Sequence, residues 1–223
     1  MTRYLIMLVW LLTVCVPKLN AQSVDADLLK IKQRMDVIEQ FTANLKLDVD
    51  ISFINMPTKH AVMTCEKGKP TKFSSDDFVM IPKRGLDFTL NKLFEYPFIT
   101  VDRGTETRNG KLYKVINVIP TDKRADFSIA TLLLDTVNLR ITESEINTKK
   151  DGTYILAMKY ENEEMILPNR VEVSFEIEQM KIPLNFVGKG TDIDRKKMHG
   201  EGMKTGKIFL QMSNYRIKLR KAN

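Results

Sequence analysis

Hydrophobic positions change their period early in the chain. Leu28, Ile31, Met35, Ile38 and Phe41 recur at spacings of three and four, which predicts an amphipathic helix with Asp25 or Asp27 placed to cap it. Lys30, Lys32, Gln33, Arg34, Asp36, Glu39 and Gln40 take the opposite side, so a single apolar stripe needs a flat apolar partner. From Leu45 the period is two. Leu45, Leu47, Val49, Ile51 and Phe53 alternate with Lys46, Asp48, Asp50 and Ser52, the pattern of a half-buried strand.

Further strands follow with turn residues between them. Lys59 to Glu66, Thr71 to Ser74 and Phe78 to Ile81 are separated by Gly68-Lys69-Pro70 and Ser75-Asp76-Asp77. Between Gly85 and Phe98, Leu86, Leu90, Leu93 and Phe94 return to helical spacing, a short helix or an apolar loop. Asn109-Gly110 joins Thr100 to Arg108 with Lys111 to Ile119, a strong local hairpin signal. Phe127 to Leu134, Leu139 to Ile146, Thr153 to Tyr160 and Met165 to Met180 continue the series, with Pro168 marking a bulge or a strand start. The last strand is Gly206 to Leu219, preceded by a glycine-rich charged stretch, Gly188 to Gly202, that reads as a mobile loop. The sum is nine to eleven mostly antiparallel strands with one early helix and one insert. No βαβ rhythm and no internal repeat is present.

The N-terminus changes the domain picture. Arg3 precedes an apolar run from Tyr4 to Val16, and the segment closes on Leu19-Asn20-Ala21, the layout of a cleaved export signal. The run is too short to span a bilayer as a helix. A lipid anchor on Cys15 is the weaker reading, because Val14 suits such a cysteine poorly. Residues 1–21 are therefore expected to be a signal peptide and residues 22–223 one β-rich domain, exported to the periplasm. After cleavage only Cys65 remains of the two cysteines. No internal disulfide can form, and the fold rests on packing.

The formal charge of +7 is concentrated rather than spread. Residues 189 to 223 hold ten Lys/Arg against Asp192, Asp194 and Glu201. Lys196, Lys197, Lys218 and Lys221 are the expected docking cations, for an anionic membrane surface or an acidic outer-membrane receptor. The plainer reading is an edge strand guarded by lysines. Nucleic acid is not the expected partner of a secreted protein, and no aromatic-studded basic motif accompanies the charge.

Catalytic chemistry has no foothold. The two histidines, His60 and His199, stand beside no cysteine or carboxylate cluster at metal-ligand spacing. No serine sits in a Gly-x-Ser-x-Gly elbow. Asp76-Asp77 reads as a turn, and Glu143 and Glu145 as the wet face of a strand. The expectation is a non-enzyme without cofactor or metal. Apolar supply is the positive signal: ten of twelve methionines follow residue 21, and thioethers repack cheaply around variable ligands.

The order of helix, long alternating strand and Lys69-Pro70-Thr71-Lys72-Phe73 resembles the LolA-like lipoprotein-carrier family, with its LolB-like and RseB-like relatives. The resemblance implies an incomplete antiparallel barrel, mainly β, with the amphipathic helix and the short helical insert on its concave side. It also implies a carrier that holds the acyl chains of a lipoprotein or lipid for sorting to the outer membrane. In that family an arginine before the proline ties the lid. Lys69 takes that place here, as a point charge without the bidentate fork. The residues expected to line the acyl cavity are Leu47, Val49, Ile51, Phe53, Phe94, Phe98, Phe175 and Ile177. The alternative is a periplasmic sensing or scaffold module of the same fold that binds a protein partner.

Overall fold

The computed structural model describes residues 24–75, 93–178 and 190–220. The expected export signal with Cys15, the strand expected at 78–81, most of the 85–98 insert and Lys221 lie outside the described residues. The described chain begins with helix α1 (Ala26–Asp36) and then runs through β1 (Ile38–Asp50), β2 (Ile54–Asn55), β3 (Lys59–Glu66) and β4 (Lys72–Ser74). After the gap come β5 (Phe98–Arg108), β6 (Lys111–Pro120), β7 (Phe127–Asp135), β8 (Arg140–Thr148), β9 (Thr153–Lys159) and β10 (Arg170–Ile177). The last stretch holds β11 (Asp192–Ile193), a short helix α2 (Arg195–His199) and β12 (Lys204–Leu219).

Ten strands form one antiparallel sheet in the order β4-β3-β1-β12-β10-β9-β8-β7-β6-β5, while β11 pairs with β2 alone. The two edges, β4 and β5, do not meet, so the sheet is an incomplete barrel. The strand register turns sequence alternation into a surface. Val49, Ile208, Val173, Leu156, Ser144, Leu132 and Ile116 follow one another across neighbouring strands. Their alternating neighbours point outward, so one face of the sheet is apolar across seven strands but for the buried Ser144 of β8.

Helix α1 packs on one half of that inner face. Leu28 and Ile31 are fully buried among Ile116, Val118, Ala130, Leu132 and Leu134. Its start is fixed by Asp25, whose Oδ1 accepts from the amides of Asp27 and Leu28 at 3.0 and 3.1 Å.

Four expectations are corrected. The helix ends at Asp36, not at Phe41: Ile38 and Phe41 belong to β1, where Phe41 pairs with both Cys65 and Ile217. Two flanking strands satisfy the backbone there, and Phe41, Ala43, Leu45 and Leu47 alternate inward. The strand expected from Met165 starts only at Arg170, because Pro168 cannot donate to a ladder. The stretch expected as a loop from Gly188 to Gly202 holds β11 and α2, pinned by buried Met198 and by Asp194, which accepts from the Lys197 amide at 3.0 Å. Finally, twelve strands are present among the described residues rather than nine to eleven.

Candidate binding face

The inner face divides into three apolar clusters. The first holds eleven buried side chains from β1, β3, β9, β10, β12 and Leu167, including Leu45, Leu47, Met63, Val171, Leu210 and Met212. Met56, Phe73, Met158, Tyr154 and Tyr215 pack against it. The second is the half beneath α1. The third, at the other end of the strands, joins Ile51, Phe53, Ile54, Phe175, Ile177 and Met198.

The eight expected cavity residues are not one group. Leu47 lies in the first cluster, with Val49 at its border with the third. Ile51, Phe53, Phe175 and Ile177 lie in the third, and Phe94 and Phe98 pack on the second, their rings 5.2 Å apart in an edge-on contact. The expectation of a dry side on these strands agrees with their burial: Leu47 is 2% exposed and Phe175 6%. Met63 and Met212, among the methionines counted as apolar supply, lie in the first cluster beside Leu210, which the sequence reading passed over. Alternation along β12, with Ile208, Leu210 and Met212 set against Lys207 and Gln211, carried that signal.

Helix α1 is fastened at both ends. Lys114 of β6 donates to Asp25 at 2.6 Å and to Asp27 at 3.1 Å, and the Asp25 amide donates to Thr100 Oγ1 at 2.8 Å. Burial disfavours the Lys114 ammonium, but these hydrogen bonds outweigh it and its pKa lies above the usual lysine value. At the far end Arg34 donates to the carbonyls of Asn138 and Glu164. Lys67 pairs with Asp36 at 3.0 Å. Lys69, the expected lid contact, instead pairs with Glu66 of its own hairpin at 2.6 Å. The cation reaching the helix stands two residues earlier.

The expected docking lysines are also separated. Lys196 and Lys197 lie exposed on α2, just before β12 begins, with Lys197 facing Asp194 at 3.8 Å. Lys218 lies near the end of β12 and pairs with Glu39 at 3.0 Å. Fourteen residues separate Lys204 from Lys218, on the order of 45 Å of extended strand.

The outer face carries polar chemistry. An open groove of about 500 Å³ over β5 to β8 is lined by Arg103, Glu106, Asn117, Thr131 and Asn147 among others. Glu143 and Glu145 sit on this side, Glu143 held by Arg108 at 2.8 Å. Cys65 is half-buried against the first cluster, its Sγ 3.4 Å from Thr71 Oγ1, a packing environment. Among the described residues no group of three His, Cys, Asp or Glu side chains could hold a metal ion, and no helix is long and apolar enough to cross a membrane.

No protein-family model matches the sequence, and no curated protein does. Solved structures do match. A DUF1329 family protein from Desulfovibrio piger shares 9% identity at a TM-score of 0.53, covering 88% of this chain and 92% of its own. An outer membrane lipoprotein-sorting protein domain from Vibrio parahaemolyticus shares 15% identity at 0.48, over 85% and 92%. A LolA superfamily protein from Nitrosomonas europaea shares 11% at 0.47, over 87% and 94%. The likeness is one of fold alone, and the open antiparallel sheet is the incomplete barrel expected above.

Proposed function

We propose that this chain is an exported carrier that holds the acyl chains of a lipid or lipoprotein against the first cluster of its inner face. The observation that carries the reading is the make-up of the first cluster. Helix α1 sits over β6 to β8, whereas among the described residues no helix packs on the first cluster, which is broad and lined by methionine and aromatic side chains. Such side chains adapt to chains of variable shape. The cluster is shut in this state, since Met63 is 1% exposed and Leu210 1%. Loading therefore requires an opening, offset by about 0.8 kcal/mol for each methylene buried.

A conservative reporter tests this. The single tryptophan of the sequence is Trp10, inside the expected export segment, so an introduced tryptophan is the only one left after cleavage. In protein purified after export and stripped of lipid, a brominated fatty acid should quench Phe73→Trp saturably. Phe94→Trp, on the second cluster, should stay bright. Absence of quenching at position 73, together with no lipid in an organic extract of the purified protein, overturns the reading.

A second reading, a sensing or scaffold module, draws on β5. This edge strand is eleven residues long, and its far side is unpaired among the described residues, which suits an added peptide strand. It predicts capture of an extended peptide by lipid-free protein.

A further inference from the structure

The strand register gathers at one end of the sheet what the sequence scatters. Ile38 pairs with Leu219, and Gln40 pairs with both Lys218 and Glu66. The Arg220 amide donates to the Val37 carbonyl and the Lys67 amide to Glu39, at 2.8 and 2.9 Å. The start of β1, the end of β12, the β3–β4 turn and the last turn of α1 thus share one rim.

Besides Arg34 and Lys32 of the helix end, which are taken up by two carbonyls and by Asp36, that rim carries six cations, Lys67, Lys69, Lys72, Arg216, Lys218 and Arg220, against the three carboxylates Asp36, Glu39 and Glu66. Lys69 pairs with Glu66 at 2.6 Å and Lys218 with Glu39 at 3.0 Å, and the Glu66 carboxyl is held below its usual range by the Lys69 hydrogen bond, with Lys72 and Lys218 adding attraction. Arg216 and Arg220 form no ion pair among the described residues. At the same end of the sheet, but on the opposite side of β12 from Lys218, Ile217 and Leu219 are 39% and 54% exposed, and Val37 at the end of α1 is 42% exposed, so only an end-on approach to the rim meets both sets. Surface apolar residues scattered singly are ordinary; three on one basic rim are a combination.

We propose that this rim docks onto an anionic lipid bilayer surface, Lys69, Lys72 and Lys218 facing the headgroups and Val37, Ile217 and Leu219 entering the interface. A cationic surface with a few apolar side chains matches a bilayer, whose headgroups are negative and whose boundary accepts apolar groups. An acidic protein face with an apolar centre offers the same two kinds of contact, and capture by such a partner is one of the outcomes separated below. The proposal does not depend on acyl transport. Under the carrier reading, however, the rim adjoins the first cluster through Ile38, Phe41 and Tyr215, so docking and loading would occur at one end.

Co-sedimentation with vesicles tests it, using chain purified after export. Wild-type protein should bind vesicles of phosphatidylcholine mixed with phosphatidylglycerol, and not phosphatidylcholine alone, with binding reduced by salt. Lys69→Gln/Lys72→Gln/Lys218→Gln should weaken binding on the order of a hundredfold, and Ile217→Ser/Leu219→Ser should weaken it further at raised salt. Lys196→Gln/Lys197→Gln, on α2 at the other end of β12, should bind as wild type. Circular dichroism melting verifies that each variant is folded. Equal binding to neutral vesicles, an unaffected triple variant, or an equal loss in the α2 variant overturns the proposal. An acidic protein that captures the chain through the same lysines while vesicles do not also overturns it. Fatty-acid quenching reports separately, so failure of docking leaves the carrier reading standing, and the reverse.

Discussion

Lys111 donates a 2.8 Å hydrogen bond to Asp135, whose side chain is only 1% exposed, fastening β6 to the turn between β7 and β8. Arg140 Nε reaches the same oxygen at 3.1 Å while its guanidinium lies 4.4 Å from the centre of the Tyr160 ring, and Asn138 donates to both carboxylate oxygens. Removing one partner of such a network leaves buried charge uncompensated. Asp135→Asn should cost about 3 kcal/mol in urea unfolding. A loss below about 0.5 kcal/mol would mean that the network contributes little.

The same carboxylate sets a pH dependence. Burial alone would raise its pKa, but hydrogen bonds from Lys111 and Asn138 outweigh that and hold it at about 2, against an ordinary 3.8. A group whose folded pKa is depressed stabilises the fold above its unfolded pKa, and this contribution is lost as pH falls from about 4 through about 2. About 2 kcal/mol of stability should therefore disappear across that window, measured as the urea midpoint against pH. In Asp135→Asn this segment of the curve should flatten.

Asp25 does two things at once: one oxygen caps α1 and the other pairs with Lys114. Asp25→Ala removes both and should cost about 2 kcal/mol, with faster hydrogen exchange in the first turn of α1. Lys30→Ala breaks only an exposed pair with Asp27 and should cost under about 0.5 kcal/mol. Equal effects of the two substitutions would contradict the clamp.

Local periodicity made most of the sheet legible. Val171, Val173, Phe175 and Ile177 alternate with polar neighbours, and all four are buried. The helix-to-strand border was not, because Ile38 and Phe41 satisfy helical spacing and strand alternation equally well. Strand pairing decided it, through partners more than twenty residues away. The same limit explains the binding face. Leu47 and Phe175 each showed a dry side, but only the register, which sets Leu47 opposite Leu210 and Phe175 opposite Gly206, separates the first cluster from the third along shared strands. Lys218 was singled out for its charge. Its company with Lys69 and Lys72 required the register of β1 with both β3 and β12.

Gly206 shows what that register demands of one position. It lies opposite Phe175 in the β10–β12 pair, and a methyl group there would stand 2.6 Å from Ile51 Cγ1 and 2.8 Å from Phe175 Cζ. Glycine thus lets Ile51, just past the end of β1, and Phe175 of β10 close over β12 to form the third cluster. Gly206→Ala overpacks this site and should cost about 2 kcal/mol. Phe175→Leu removes the Cζ atom and destabilises alone by opening a cavity. Combined, the ring no longer meets the new methyl, so the double variant should be more stable than the sum of the single losses by about 1 kcal/mol. Chemical denaturation of the four proteins measures the coupling. Losses that add within about 0.3 kcal/mol would show that β12 moves aside instead of the side chains clashing.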